Sequence, residues 1–214
     1  MRAVLFSNGE VPDPLRMRSV LQVDDTIVSA DGGIRHLLAL GRDPHILIGD
    51  MDSIDPHLLS SLEEKGTEIL RYPPAKDETD LELAINILQE RGFNEVLIVG
   101  ALGGRMDQTL ANVWLLAERS NTAFDISFDD GCERVYLVQN ILAVSGQPGD
   151  LISLIPYAAR VTGINTDGLE YPLHNETLFP EKTRGLSNVL LANQARITIK
   201  TGRLLCIHRR IIAS

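Results

Sequence analysis

The chain has 214 residues, 44% hydrophobic and 23% charged, a balance that excludes a disordered, coiled-coil or collagen-like protein and leaves room for one large domain or two small ones. Twenty Lys and Arg against 29 Asp and Glu leave a net charge of −9, which argues against general nucleic-acid binding, because phosphate contacts need clustered basic side chains. A phosphate-bearing ligand would then need a metal ion or a local Arg or Lys.

The opening stretch MRAVLFSNGE has too short an apolar run for a signal peptide, and no window has the roughly eighteen consecutive apolar residues of a membrane span. A soluble, cytoplasmic protein is the expectation. From residue 3 the text alternates short apolar runs with helical periodicity. Runs at 3–7, 26–30, 46–49, 68–72, 96–100 and 124–128 predict strands. Between them Ile34, Leu37 and Leu38 before Gly41, and Leu58, Leu59 and Leu62 before Gly66, predict helices with glycine stops. Leu81, Ala84, Ile85 and Leu88 before Gly92, and Leu110, Val113, Trp114 and Ala117, predict two more. Strands separated by helices of this length form right-handed βαβ units in a mostly parallel sheet. From Arg134 onward only short strands follow, RVYLV, ILAV, DLISLI, SNVLLA, ARITIK and RLLCIH, separated by turn residues. The fold expected is therefore α/β, a Rossmann-like domain over 1–138 followed by a small all-β sandwich over 139–214. Cys132 and Cys206 stand far apart with no C-x-x-C and read as thiols in apolar strand text. The five histidines are scattered and form no ligand set.

Open parallel sheets receive ligands beyond the carboxyl ends of their strands, and those ends carry polar clusters here. They are Ser7-Asn8-Gly9, Asp31-Gly32-Gly33, Asp50-Met51-Asp52-Ser53 and Gly103-Gly104-Arg105-Met106-Asp107, together with Lys76-Asp77-Glu78-Thr79-Asp80 at the start of a helix, where Thr79 and Glu82 have capping-box spacing. Asp50, Asp52, Asp77 and Asp80, with Asp31 nearby, converge on one rim. Carboxylates so crowded repel unless a cation sits among them, and hard oxygen donors suit Mg²⁺. Each cluster alone has a plainer reading. Asp80 is favourable in any first helical turn, Asp31-Gly32-Gly33 serves as a tight turn or a phosphate cradle, and Arg105 with Asp107 makes an ordinary surface ion pair. Their coincidence at one sheet edge carries the inference.

The ordered set Asp31-Gly32-Gly33, Pro44, Ile48-Gly49-Asp50-Met51-Asp52-Ser53, Lys76-Asp77-Glu78-Thr79-Asp80 and Gly104-Arg105-Met106-Asp107-Gln108 with Asn112 resembles the thiamine pyrophosphokinase family. The segments Gly168-Leu169-Glu170-Tyr171-Pro172-Leu173 and Gly185-Leu186-Ser187-Asn188 extend the resemblance into the β half. It implies an ATP-dependent diphosphotransferase that makes thiamine diphosphate and AMP, working as a homodimer with active sites at the subunit interface. By position, Asp50, Asp52 and Asp80 would hold Mg²⁺, with Asp31 and Asp77 supporting them. Asn8, Gly32, Gly33, Lys76 and Arg105 would contact ATP. Asp107, Ser187 and Asn188 would contact thiamine, and Tyr171 of the partner chain would offer its ring an aromatic face. Asp80 or Asp107 would take the acceptor's proton, Asp107 being the better base because a metal-bound carboxylate is a poorer one. Met51 replaces the Phe common in the family, and Gln108 stands where many members have His. A haloacid-dehalogenase-like phosphatase also uses a strand-end D-x-D, but on its first strand. Here the pair follows the third.

Overall fold

The computed structural model describes residues 1–73, 75 and 77–211. The chain divides into two compact units, Met1–Leu115 with Thr122–Gly131, and Leu116–Asn121 with Cys132–Ser214.

In the first unit β1 (Arg2–Phe6), β2 (Thr26–Ala30), β3 (Ile46–Gly49), β4 (Glu68–Arg71), β5 (Glu95–Val99) and β6 (Asp125–Asp129) stand in the order β6-β5-β1-β2-β3-β4. Every adjacent pair is parallel. The near-continuous burial of β1, β2, β3, β5 and β6 is what a sheet covered on both faces demands, while β4 at the edge is only partly buried. Strand alternation sends Val4 and Phe6 to one face, where they pack with Met17, Ile27, Leu37, Leu97 and Val99. Met17 and Leu37 come from α1 (Pro14–Val20) and α2 (Ile34–Ala39). On β3, Leu47 packs with Leu59 and Leu62 of α3 (Pro56–Glu64). Helix α4 (Asp80–Glu90) buries Leu81, Ala84, Ile85 and Leu88 and packs on β2 and β3. Helix α5 (Met106–Arg119) joins β5 to β6. The chain runs outward from β1 to β4 and then crosses back to β5, so the order reverses between β1 and β5, the place where open α/β sheets form a ligand crevice.

The six predicted strands and four predicted helices of this half are all present. Helix α1 was not foreseen, because it buries one residue, Met17, and leaves Leu15 exposed. Its signal is local instead: Asp13 accepts the Arg16 amide at 3.0 Å and Pro14 occupies the first turn.

The second unit has antiparallel strands and, among the described residues, no helix begins in it. Strands β12 (Asn188–Val189), β9 (Leu151–Pro156), β14 (Leu204–Arg209) and β7 (Glu133–Val138) lie side by side in that order. A four-stranded sheet follows β11 (Glu176–Leu178), β10 (Val161–Asp167), β13 (Gln194–Thr198) and β8 (Ile141–Ser145). Ile152 and Leu154 from one set of strands and Val144, Ile164 and Ile197 from the other share one core, as in a sandwich. Strand β10 escapes the alternation rule because its register shifts between Val161 and Ile164, around Gly163 at φ +68°. Cys206 lies wholly within this core, and burial pushes its thiol up to about 12.

One polar knot is buried in this unit. Asp150 accepts from the Gln147 and Ile211 amides, each at 2.9 Å, and stands 2.7 Å from Nε2 of His208. Burial by itself would raise its pKa, but the two amides and then His208 outweigh that and hold it below its ordinary value. A depressed carboxylate stabilises the fold above the unfolded-state pKa, and that contribution is lost as pH falls through the folded value. Asp150→Ala should therefore cost about 1–3 kcal/mol at pH 7, as when buried hydrogen-bonding groups lose their partner, and the difference from the parent should shrink below about pH 4. Urea unfolding of both proteins at several pH values measures this.

Candidate active site

The loops beyond the carboxyl ends of β1, β2 and β3 meet because glycines let the backbones touch. A Cβ on Gly33 would stand 2.1 Å from the Phe6 carbonyl oxygen, and one on Gly32 would meet the Asn8 side chain at 2.7–2.8 Å. At Gly49 it would approach Asp31 to 3.3 Å. Asp31 and Met51 both have positive φ, +43° and +66°, conformations that cost a non-glycine residue energy and persist where the surroundings hold them. For Met51 the hold is its side chain, buried with Ile34, Leu47, Ile54, Leu59 and Leu62. With Met51 in the core, Asp50 and Asp52 are left at the rim.

The result is three carboxylates, Asp31, Asp50 and Asp52, with ligand oxygens within 4.8 Å of one another. Ser53 Oγ donates to Asp31 at 2.9 Å, and the Asp52 amide donates to Asp50 at 3.1 Å. Asp50 above all, and Asp31 to a smaller extent, push the Asp52 pKa above its ordinary value. Asp80 heads α4, where Thr79 caps the helix by accepting the Glu82 amide at 3.1 Å. It is half-buried and falls outside the three-carboxylate set. Asp77 is exposed just before that helix, and Lys76 lies outside the described residues.

An open cleft of about 380 Å³ adjoins the carboxylates, lined by Asn8, Asp31, Gly32 and Ser53 on its polar side and by Ile34, Leu38, Ile54 and Leu58 on its apolar side. Arg35 also lines it. Its guanidinium donates to the carbonyls of Asn8 and Gly9 at 2.7 and 2.9 Å, and His36 Nε2 lies 2.9 Å from the Gly9 oxygen. Burial, aided by Arg35, holds the His36 pKa down against that hydrogen bond. Arg35 went unnoticed in the sequence because an exposed arginine on a short helix carries no pattern; only the fold brings it to the loop after β1.

Across the crevice, Gly103 and Gly104 at φ +79° and +67° lead into α5. Arg105 there grips Asp107 through Nε and Nη2, and this pairing, with the Gln108 amide, holds the Asp107 carboxyl below its ordinary pKa. Asn112 ties the helix to the loop by donating to the Ala101 carbonyl at 2.8 Å.

In the second unit the predicted residues cluster on their own. Segment 185–190 runs along β9: the Leu154 amide donates to Gly185, the Ser187 amide donates to Ser153 Oγ at 3.0 Å, and Asn188 pairs with Ile152. Ser187 is exposed with φ +56°. Segment 168–171 lies on the other side of it, through the Glu170 amide to Val189 and the Leu191 amide to Gly168. It carries Tyr171, which is 64% exposed. Asn188 is buried, and its side chain bonds both backbone groups of Tyr171.

A doubly wound α/β unit with acidic residues and a cleft at the carboxyl edge of its sheet, joined to a β-sandwich, is a two-domain architecture with its cleft where open α/β sheets receive ligands. The chain belongs to the thiamine pyrophosphokinase family: the model of the thiamin pyrophosphokinase catalytic domain matches residues 17–128, and that of the thiamin pyrophosphokinase vitamin B1 binding domain matches 139–206. Thiamine pyrophosphokinase of Bacillus subtilis is 27% identical over 190 residues, 84% of this chain and 85% of that protein. Thiamine pyrophosphokinase 1 of rice is 29% identical over 72% of this chain and 62% of its own length. A crystal structure of the Bacillus subtilis protein superposes with TM-score 0.87 at 24% identity over 99% of this chain and all of the other. One from Candida albicans gives 0.82 at 16% identity over 98% and 89%. These two establish the fold.

A carboxylate whose pKa is raised by its neighbours destabilises the fold once pH exceeds its ordinary value, because the folded state then has to give up a proton it holds more tightly. Asp52→Asn should therefore hold or raise the melting temperature in chelator at pH 7, and this advantage should vanish below about pH 4. A clear fall in melting temperature at pH 7 would contradict the crowding described.

Proposed function

We propose that the protein transfers the diphosphoryl group of ATP to the hydroxyethyl oxygen of thiamine, giving thiamine diphosphate and AMP. The observation that carries this reading is the Asp31, Asp50 and Asp52 cluster beside the cleft at the carboxyl edge of the sheet, in a chain that matches both the catalytic and the vitamin-binding domains of the family. Residues 1–138 would handle ATP and metal, and 139–214 the thiamine.

The donor set suits Mg²⁺, since three hard carboxylates lie within 4.8 Å of one another and the other two push the Asp52 pKa up. Asp50 and Asp52 would hold the ion, with Asp31 beside them and Asp80 and Asp77 approaching from the start of α4. When bound, the ion supplies charge neutralisation for the polyphosphate. The chain's own residues do the rest by position. Asn8, Gly32 and Gly33 face the nucleotide from the loops after β1 and β2, and the apolar wall from Ile34 to Leu58 suits its base. Lys76 and Arg105 supply cationic contacts that an acidic protein otherwise lacks. The thiamine oxygen attacks the β-phosphorus, the bond from that phosphorus to the α,β-bridging oxygen breaks, and AMP leaves with that oxygen. Asp107 takes the hydroxyl proton. Gripped by Arg105 it is a weak base, so the polyphosphate must first draw the guanidinium away. Tyr171 meets the cationic thiazolium with its face, worth about 0.5–2 kcal/mol, while Ser187 lines the same site and the buried Asn188 lies behind it. We place the reaction in the cytoplasm, where ATP and Mg²⁺ are supplied. Among the described residues no helix is long and apolar enough to cross a membrane.

The homodimer belongs to this proposal. Met106, Leu110 and Trp114 repeat every four residues along α5, exposed by 71%, 48% and 53%, and an apolar stripe on one helix face is a surface suited to a second copy.

Incubation with ATP, Mg²⁺ and thiamine should yield AMP and thiamine diphosphate in equal amounts, and Asp50→Asn should lower the rate by at least about a hundredfold. Release of inorganic phosphate without AMP would point to the phosphatase alternative. If active sites are shared, mixing Asp52→Asn chains with Tyr171→Ala chains should restore activity that neither has alone; mixed dimers as inactive as their parents would exclude sharing.

A further inference from the structure

The side chain of Asn188 makes three hydrogen bonds inside the second unit. Its Oδ1 accepts the Tyr171 amide at 3.0 Å and the Val189 amide at 2.9 Å, and its Nδ2 donates to the Tyr171 carbonyl at 2.7 Å. Both oxygen lone pairs and one of the two amide hydrogens are therefore engaged within the protein. The pattern has a structural logic. Segment 168–171 pairs with 189–191 through Leu191 to Gly168, the Leu169–Leu190 bridge and Glu170 to Val189. At Tyr171, the next residue, the side-chain amide of Asn188 takes the place of a backbone partner, offering the same donor and acceptor as a peptide unit. Pro172 adds a second restraint, since a residue before proline is confined to extended conformations. An exposed aromatic ring is thus carried on a backbone fixed from both sides, while Asn188 itself is buried.

We propose that Asn188 is a positioning residue for Tyr171, presetting the aromatic face that receives the cationic acceptor, and that it acts on thiamine through that ring. The inference rests on the reading of Tyr171 as a thiamine contact. It separates two neighbours in the chain: Ser187, exposed and held at φ +56° with its amide on Ser153 Oγ, faces the ligand, whereas Asn188 holds the scaffold. Preorganisation of this kind raises affinity by sparing the ring's backbone its ordering cost on binding.

A double-mutant cycle in the full-length protein tests it, with the Michaelis constants for thiamine and ATP read separately. Tyr171→Ala should raise the thiamine constant about five- to tenfold, the size of a cation–π contact partly withdrawn from water when the ligand binds. Asn188→Ala should raise it by a similar factor, and the double variant by no more than Tyr171→Ala alone, while the ATP constant stays within about twofold of the parent throughout. Multiplying effects in the double variant would show that Asn188 meets the ligand independently, and so overturn the proposal. An Asn188→Ala protein with the parent's thiamine constant would overturn it as well. Should Asn188→Ala fold poorly, Asn188→Asp keeps the acceptor for the Tyr171 and Val189 amides but sets a carboxylate oxygen against the Tyr171 carbonyl in place of the donor, and a raised thiamine constant with an unchanged ATP constant is expected; the parent's thiamine constant would overturn the proposal. Amide exchange in the unsubstituted protein gives a readout free of activity: the Tyr171 N–H should be protected despite its exposed ring, and Asn188→Asp should weaken that protection. A fast-exchanging Tyr171 amide in the unsubstituted protein refutes the clamp. If instead the amide is protected but Tyr171→Ala leaves the thiamine constant unchanged, the clamp stands as structure, and both the thiamine reading of Tyr171 and the positioning role built on it are overturned.

Discussion

Three like charges held within 4.8 Å at the rim of a parallel sheet are an expense that the rest of the first unit is arranged to sustain. Each carboxylate arrives by a different route: Asp31 from the end of β2 in a left-handed conformation, Asp50 and Asp52 from either side of a buried Met51. The methionine anchors the turn in the core under α3, and Gly49 lets Asp31 come close. Without those anchors the three carboxylates would spread apart into solvent. With them, the repulsion stays in the site as a raised pKa on Asp52, which a divalent cation relieves.

The glycines read from the sequence as a phosphate cradle have a prior duty in packing. Gly32 and Gly33 are needed because Asn8 and the Phe6 carbonyl stand where a Cβ would be. The same closeness sets Asn8, Asp31 and Arg35 around one cleft, so packing and ligand reception are served by the same contacts. The second unit solves a different problem, the display of an aromatic ring at a fixed position. It does so with a two-segment ladder finished by a side-chain amide.

Much of this was legible in advance, for physical reasons. Five strands of the α/β unit are buried almost throughout and so appear as apolar runs, β4 at the sheet edge shows only Ile69 and Leu70 between charged residues, and four of the helices carry a repeating apolar stripe. The D-x-D and the acidic start of α4 could be placed at the carboxyl edge because connectivity alone puts strand ends there. What escaped is what depends on single contacts or tertiary approach. Helix α1 has one buried side chain, and β10 is broken by a shift at Gly163. Arg35 reaches a loop 26 residues away. Asn188 bonds Tyr171 across 17 residues, a pairing no local pattern announces. The histidines read as scattered are nonetheless used inside the fold, His45 accepting the Ile27 amide and His208 paired with Asp150.

The central claim, that this carboxylate cluster is a divalent-cation site which the fold strains to maintain, is tested most directly by metal binding without substrates. Titration with Mn²⁺, followed by its electron paramagnetic resonance signal, should reveal a saturable site that Mg²⁺ displaces, and binding should raise the melting temperature. In Asp50→Asn the site should weaken by at least about tenfold, as expected when a charged ligand is lost. Unchanged Mn²⁺ binding in Asp50→Asn, at the same affinity and with the same thermal shift, would contradict the account.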